Sequence, residues 1–186
     1  MAEKQDVKQN HNKIVMILKF RMVCDESATF VRDYEVDASM TLLDLNDFIC
    51  EELGYDTDGM TSFFLADERW RKLKEFTVMD MGGGMGPEEE APVAMSDVKL
   101  HQIIRTMDDR LIWVFDIFAD RAYFLELVEP KQAEEGVVYP RVQFAHGEPV
   151  DQYDADAENG GEKSIFEEMM DDFGDFGGDD SYDDEY

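Results

Sequence analysis

Serine, histidine, cysteine and carboxylate groups are the means by which this chain of 186 residues could do chemistry. A serine nucleophile acting on phosphate needs arginines converging on the reacting group. Ser27, Ser39, Ser62, Ser96, Ser164 and Ser181 have at most an isolated arginine nearby in sequence. His11, His101 and His146 are scattered, and none has a neighbour at metal-ligand spacing. Asp154-Ala-Asp156-Ala-Glu158 begins like a calcium loop, but Asn159 stands where the turn glycine belongs and Ile165 where the closing glutamate belongs. Gly82-Gly83-Gly84 lacks the G-x-G-x-x-G spacing and a following Walker lysine, and Glu88–Glu90 would repel phosphate. Short of a triad assembled only in space, these patterns assign no catalytic residue, no metal site and no cofactor.

Two constellations remain. Asp116 is a charge inside an otherwise apolar stretch, and an unpaired buried carboxylate costs several kcal/mol. It therefore needs a partner, with Arg121 and Arg141 as candidates, or an end-of-strand position in water. The sharper alternative is a small polar pocket of Asp116, Tyr139 and Arg141. The second constellation lies near the C-terminus, where Ser164-Ile165-Phe166-Glu167 has the form of a capping box. Ile165, Phe166, Met169, Met170 and Phe173 then recur at three- and four-residue steps among acidic residues, with Phe176 beyond Gly174. Apolar anchors in acidic sequence match a linear motif that folds into a partner's groove. The same stripe is compatible with docking on its own domain, or with no fixed role.

Charge bounds the partner. Asp and Glu number 45 against 17 Lys and Arg, a net of −28. Residues 151–186 hold 15 acidic residues and one basic (Lys163), a net of −14; the other −14 is spread over residues 1–150. Nucleic-acid affinity comes largely from Lys and Arg displacing counterions, so this balance argues against direct nucleic-acid binding and for a basic protein partner. The alternative is a segment that only keeps the chain soluble.

Cys24 and Cys50 fit no C-x-x-C or ligand spacing and sit in or beside apolar runs, as small buried hydrophobes do; a disulfide is permitted but not required. The N-terminus has no signal-type apolar core, and no apolar run approaches 18 residues. The expectation is a cytoplasmic protein without membrane segments.

The elements that must position these groups read in order. Residues 1–12 are polar and flexible, and residues 13–150 form the domain. Lys13–Val23 alternates, with Ile14, Met16, Leu18, Phe20 and Met22 inward and Lys19 and Arg21 outward. Ala28–Asp37 pairs with it, Phe30, Tyr34 and Val36 inward and Asp33, Glu35 and Asp37 outward. A helix starts at Thr41 with a capping box to Asp44, runs its stripe through Leu42, Leu45, Phe48, Ile49 and Leu53, and stops at Gly54. Strands over Thr61–Ala66 and Leu73–Met79 make a second hairpin. Residues 80–95 break all periodicity as a flexible internal loop, and Ser96 caps a short helix burying Val98, Leu100, Ile103 and Ile104. The stretch Leu111–Phe118 is apolar on both faces and, with Ala119–Arg121 as its turn, pairs with Ala122–Val128 at the centre of the sheet. Val137–Phe144 is a last β-like stretch in which Pro140 argues for an edge strand or an irregular crossing, and residues 151–186 form a disordered acidic tail.

This order resembles that of the Ri-plasmid open-reading-frame-three-like family, also described as insertion-element passenger proteins of TnpR type. The resemblance rests on the TLLDLNDFICEELGY helix, the SDVKLHQII helix, the step Phe115-Asp116 and the step Tyr139-Pro140-Arg141, over roughly residues 13–150. It implies an α+β fold with a β-grasp-like mixed sheet, one main helix and a short second helix. The chain departs from the family pattern at Ile117–Ala122, where the family has a glycine-aspartate turn with tryptophan and histidine after it. It departs again at Val142-Gln143-Phe144, in place of a cysteine-containing acidic loop. The leading functional expectation is a non-enzymatic interaction protein whose acidic segment binds a basic protein, in transcription, translation or mobile-element machinery. The alternative is a nucleic-acid-processing enzyme or accessory factor, in line with the family's resolvase label.

Overall fold

The computed structural model of the chain describes residues 15–79 and 92–153. Its strands are β1 (Met16–Cys24), β2 (Val31–Asp37), β3 (Ser62–Ala66), β4 (Lys72–Thr77), β5 (Val93–Ala94), β6 (Arg110–Asp116), β7 (Arg121–Gln132) and β8 (Arg141–His146). Its helices are α1 (Leu42–Leu53) and α2 (Leu100–Ile103). The fold is α+β: one eight-stranded sheet in the order β5-β4-β3-β6-β7-β1-β2-β8, with one main helix. All neighbours pair antiparallel except β4 and β5.

α1 begins and ends where its sequence says. Thr41 Oγ1 accepts from the Asp44 amide at 3.0 Å, and the Asp44 carboxylate accepts from the Thr41 amide at 2.9 Å. Gly54 closes the helix at φ 73, a left-handed conformation that glycine adopts without Cβ strain. Leu42, Leu45, Ile49, Cys50 and Leu53 bury one side of α1 against Leu18, Phe20, Val36, Phe63, Trp113 and Tyr123 of the sheet. Asn46 lies under the same stripe. Its Oδ1 accepts from Thr61 Oγ1 at 2.7 Å and from Trp113 Nε1 at 3.0 Å, so both buried donors are satisfied.

The β6–β7 hairpin occupies the middle of the sheet, as its two-sided apolar pattern predicts. Trp113 is fully buried on the helix side. On the other side Ile112, Val114, Ala66 and Ala122 form a second small core under Phe64, Trp70 and Phe124. Arg110 stacks over Trp70 at 4.7 Å and Lys72 over Phe64 at 4.5 Å, extending that cover with their aliphatic stems.

Several expectations need correction. Ile117 and Phe118 are in the turn and not in the strand, because the Asp116 carboxylate accepts from the amides of Phe118 and Ala119, both at 3.0 Å, and ends β6. Asp33 and Glu35 are on the side away from α1 but are buried there, covered by the long cations Lys19, Arg21, Lys131 and Arg141. Met16 is 54% exposed, whereas Ile17, on the opposite face, is fully buried. The excursion expected over 80–95 ends by Val93, which pairs with Phe76. Met95 is fully buried in a 3-10 turn (Met95–Asp97), since an apolar PVAM run gains more from the core than from water. Ser96 lies in that turn, its hydroxyl 3.3 Å from the Asp97 carboxylate, and Gln102 Oε1 accepts from the Lys99 amide at the start of α2 instead. The last strand begins at Arg141, just after the cis Tyr139–Pro140 bond, and lies at the sheet edge. Cys24 and Cys50 are both buried and free.

Candidate functional site

The three residues expected to share a polar pocket are split between opposite ends of the sheet. Asp116 faces Arg121 across the hairpin. Arg141 instead donates from Nε to Glu35 Oε2 at 2.7 Å and lies over the Tyr139 ring at 5.6 Å. Lys131 Nζ holds the other Glu35 oxygen at 2.6 Å and also Glu134 at 2.6 Å; the Glu134 amide donates to Tyr139 Oη at 3.2 Å. Lys131 and Arg121 stand near opposite ends of the twelve-residue β7, on the order of 30 Å apart. Tyr139 and Arg141 are therefore brought together, and Asp116 is not.

Burial raises the Glu35 pKa, but the hydrogen bonds from Lys131 and Arg141 outweigh it and hold the carboxyl below the usual glutamate value. Lys131 and Arg141 are pushed up in turn by their bonds to Glu134 and Glu35. Two cations on one carboxylate hold it ionised, and this cluster pins β8 and β7 to β2.

The Asp116 end builds something different. Behind the turn, Arg121 donates from Nε and Nη2 to both Glu26 oxygens, at 3.0 and 2.9 Å. The same guanidinium reaches the carbonyls of Asp151 at 2.9 Å and Gln152 at 3.2 Å, and lies over Phe115 at 4.9 Å. Next to it the Tyr55 and Tyr123 hydroxyls are 2.8 Å apart. Tyr55 donates to the Val150 carbonyl, and the Val150 amide donates to Tyr123 Oη at 3.2 Å. With the Tyr55 proton so used, the bond between the hydroxyls has Tyr123 as donor. Burial raises both phenols, which keeps them protonated and fit for this closed ring. Gln152 completes the clasp, accepting from the Asp56 amide at 2.7 Å and donating to the Asp56 carbonyl at 3.3 Å.

Sequence reading named Arg121 but missed Tyr55, Tyr123, Glu26 and Gln152 as a unit. The legible signals were Tyr55 directly after the helix stop at Gly54 and Tyr123 on the inward stripe of β7. The acidic 151–186 segment thus begins at a point fixed by side chains of α1's exit loop and of β7. The expected partner-binding residues Ile165, Phe166, Met169, Met170, Phe173 and Phe176 lie outside the described residues, as does the calcium-like stretch from Asp154.

Other features offer less chemistry. A groove of about 550 Å³ runs between β3–β4 and α2, floored by Leu65, Phe76, Val98 and Ile103 and rimmed by Lys74 and Arg105. At its margin Asp109 is committed to the amides of Arg105 and Thr106. Cys24, Asp25 and Glu26 place ligand-type atoms within 4.8 Å of one another, but Glu26 is held by Arg121 and burial raises the Cys24 thiol. No helix among the described residues is long and apolar enough to cross a membrane.

No protein-family model and no curated protein matches this chain. Among solved structures it is similar to a protein of unknown function from Methanosarcina mazei Go1. The TM-score is 0.56 at 16% identity, over 71% of this chain and 70% of that one. The likeness is one of fold.

Proposed function

We propose that the protein is a cytoplasmic, non-enzymatic interaction protein. Its acidic, aromatic-containing segment 151–186 binds a basic protein partner, with Ile165, Phe166, Met169, Met170, Phe173 and Phe176 as apolar anchors. The machinery served is that of transcription, translation or mobile elements. The observation carrying this reading is the partition of charge: half of the net −28 falls in 151–186. The clasp at Val150–Gln152 is compatible with it, since it fastens the start of that segment and leaves the anchors out of the bonds that hold the domain's end.

In the same reading the chain is a divergent member of the Ri-plasmid open-reading-frame-three-like family, and its β1–β2–α1–β3 opening is β-grasp-like. The element order and the helix laid on one face of the sheet support this, with the β6–β7 hairpin intercalated between β1 and β3.

The test is affinity capture from the native host with the full chain and with a chain ending at Tyr153, read by mass spectrometry. A basic protein retained only by the full chain is the expected result; identical captures would reject the reading. Titration of that protein with native, scrambled and Phe166→Ala segments then separates anchored binding from charge alone, which fades as salt screens it over about 8–10 Å.

A further inference from the structure

The β6–β7 turn presents two apolar side chains to solvent, Phe118 at 86% exposure and Ile117 at 42%. Single exposed apolar residues are ordinary. This pair differs in how it is held and in what surrounds it. Asp116 accepts from two turn amides, and Asp120, at φ 53, is tied by its carboxylate to Lys72 at 2.9 Å. The turn is therefore preorganised, and a side chain offered on a preset backbone loses less entropy when it is bound. The surroundings are acidic: Asp116 ends the strand before the turn and Asp120 lies in it, and Glu26, bonded to the Arg121 guanidinium behind it, has the Asp25 carboxylate within 4.8 Å. The two cations here, Arg121 and Lys72, are already paired with Glu26 and Asp120.

We infer that the Ile117–Phe118 turn is a docking surface for a basic protein partner, with Phe118 entering an apolar pocket rimmed by Lys and Arg. This rests on the reading above, in which the acidic segment engages the same partner; its first residues, Asp151 and Gln152, are bonded through their carbonyls to Arg121 next to the turn. Charge complementarity selects this occupant. A second copy of a chain of net −28 would bring like charges together at that point.

The test uses the full chain and two synthetic peptides of identical Lys and Arg content, one interspersed with Leu and Trp and the other with Ser in their place. The apolar-containing peptide should bind the native chain about tenfold or more tightly than its serine counterpart. Phe118→Ser should narrow that gap about threefold or more, leaving only the part owed to the apolar residues of the acidic segment, with the weaker, salt-sensitive binding of the serine peptide unchanged. Phe144→Ser, which alters an exposed phenyl on β8, should preserve the gap in full. A gap that is absent, or that Phe118→Ser leaves as wide as before, overturns the inference. Ending the chain at Tyr153 serves the separate question: if both peptides bind that chain as well as the native one, the acidic-segment reading fails whatever Phe118 does. An unchanged thermal midpoint for Phe118→Ser, expected of so exposed a side chain, shows that lost binding is not lost folding.

Discussion

Arg121 and Glu26 meet as a two-pronged ion pair, Nε and Nη2 against the two carboxylate oxygens, and so join the bend after β1 to the start of β7. The guanidinium side chain is only 14% exposed, and it also holds two carbonyls of the chain leaving the domain. Hydrogen bonds to charged groups contribute about 1.5–3 kcal/mol. Arg121→Met should therefore lower stability by about 2 kcal/mol in urea unfolding. Arg121→Lys should fall between, because a lysine cannot reproduce the planar fork. Equal stability for all three would show the clasp to be ornamental.

Asn46 is a buried polar junction between α1 and the sheet. Its Oδ1 serves both Thr61 and Trp113, so Asn46→Leu leaves two buried donors without an acceptor, each at about 1–3 kcal/mol. Trp113→Ala removes the largest fully buried side chain and should cost about 3–5 kcal/mol. A loss within about 0.5 kcal/mol for Trp113→Ala, the range of surface changes, would contradict a central β6.

Stability should depend on pH through Glu35. Its folded pKa lies below the unfolded value near 4.3, so its contribution is fully present above that pH and is lost as pH falls through the folded pKa. Glu35→Gln should lower the thermal midpoint at pH 7. The difference from the native chain should shrink as pH falls through the folded Glu35 pKa, below which the group is protonated in both states. A difference that is constant with pH would mean that the Lys131 and Arg141 contacts contribute nothing to stability.

How much of this was legible follows from the range of the interactions involved. α1 was readable to the residue because its capping box and its glycine stop are set by neighbours within four positions. β6 was readable as a central strand because Leu111–Phe115 is apolar with a period of two on both faces. The turn at Ile117–Asp120 was not, since an apolar Ile-Phe pair continues the strand pattern, and only the capture of two amides by Asp116 ends it. The assignment of Asp33 and Glu35 to solvent failed for a related reason. Alternation reports the face of a residue, not what covers that face, and here long cations from β1, β7 and β8 do so. The proposed Asp116–Tyr139–Arg141 pocket needed a distance between strands that no local pattern carries. The clasp was invisible on the same grounds, joining Tyr55, Tyr123 and Val150 across some 95 positions.

The thiols should be slow to react. Burial pushes Cys50 up to about 11 and Cys24 up as well, so neither is a thiolate near neutral pH. Modification by an aromatic disulfide reagent should track global unfolding, with both thiols reacting promptly only in denaturant. Fast reaction of either in the native state would show that the sheet opens locally at β1 or that α1 lifts.

The position of the domain boundary can be tested to within a few residues. A chain ending at Tyr153 keeps every partner of the clasp: Val150 for the tyrosine pair, Asp151 and Gln152 for Arg121, and Gln152 for Asp56. Its stability should match that of the full chain within about 0.5 kcal/mol. A chain ending at Glu148 loses all of these and the apolar contact of Val150 with the core. It leaves the Tyr55 and Tyr123 hydroxyls with only each other, and each buried group that loses its partner costs about 1–3 kcal/mol. The expected pattern is thus a step and not a slope: no change on removing residues 154–186, then a fall of several kcal/mol on removing the next five. Urea unfolding of the two truncated chains beside the full one decides it. A fall already present in the chain ending at Tyr153 would mean that the acidic segment helps hold the domain together, in which case its apolar stripe would serve this chain before any partner.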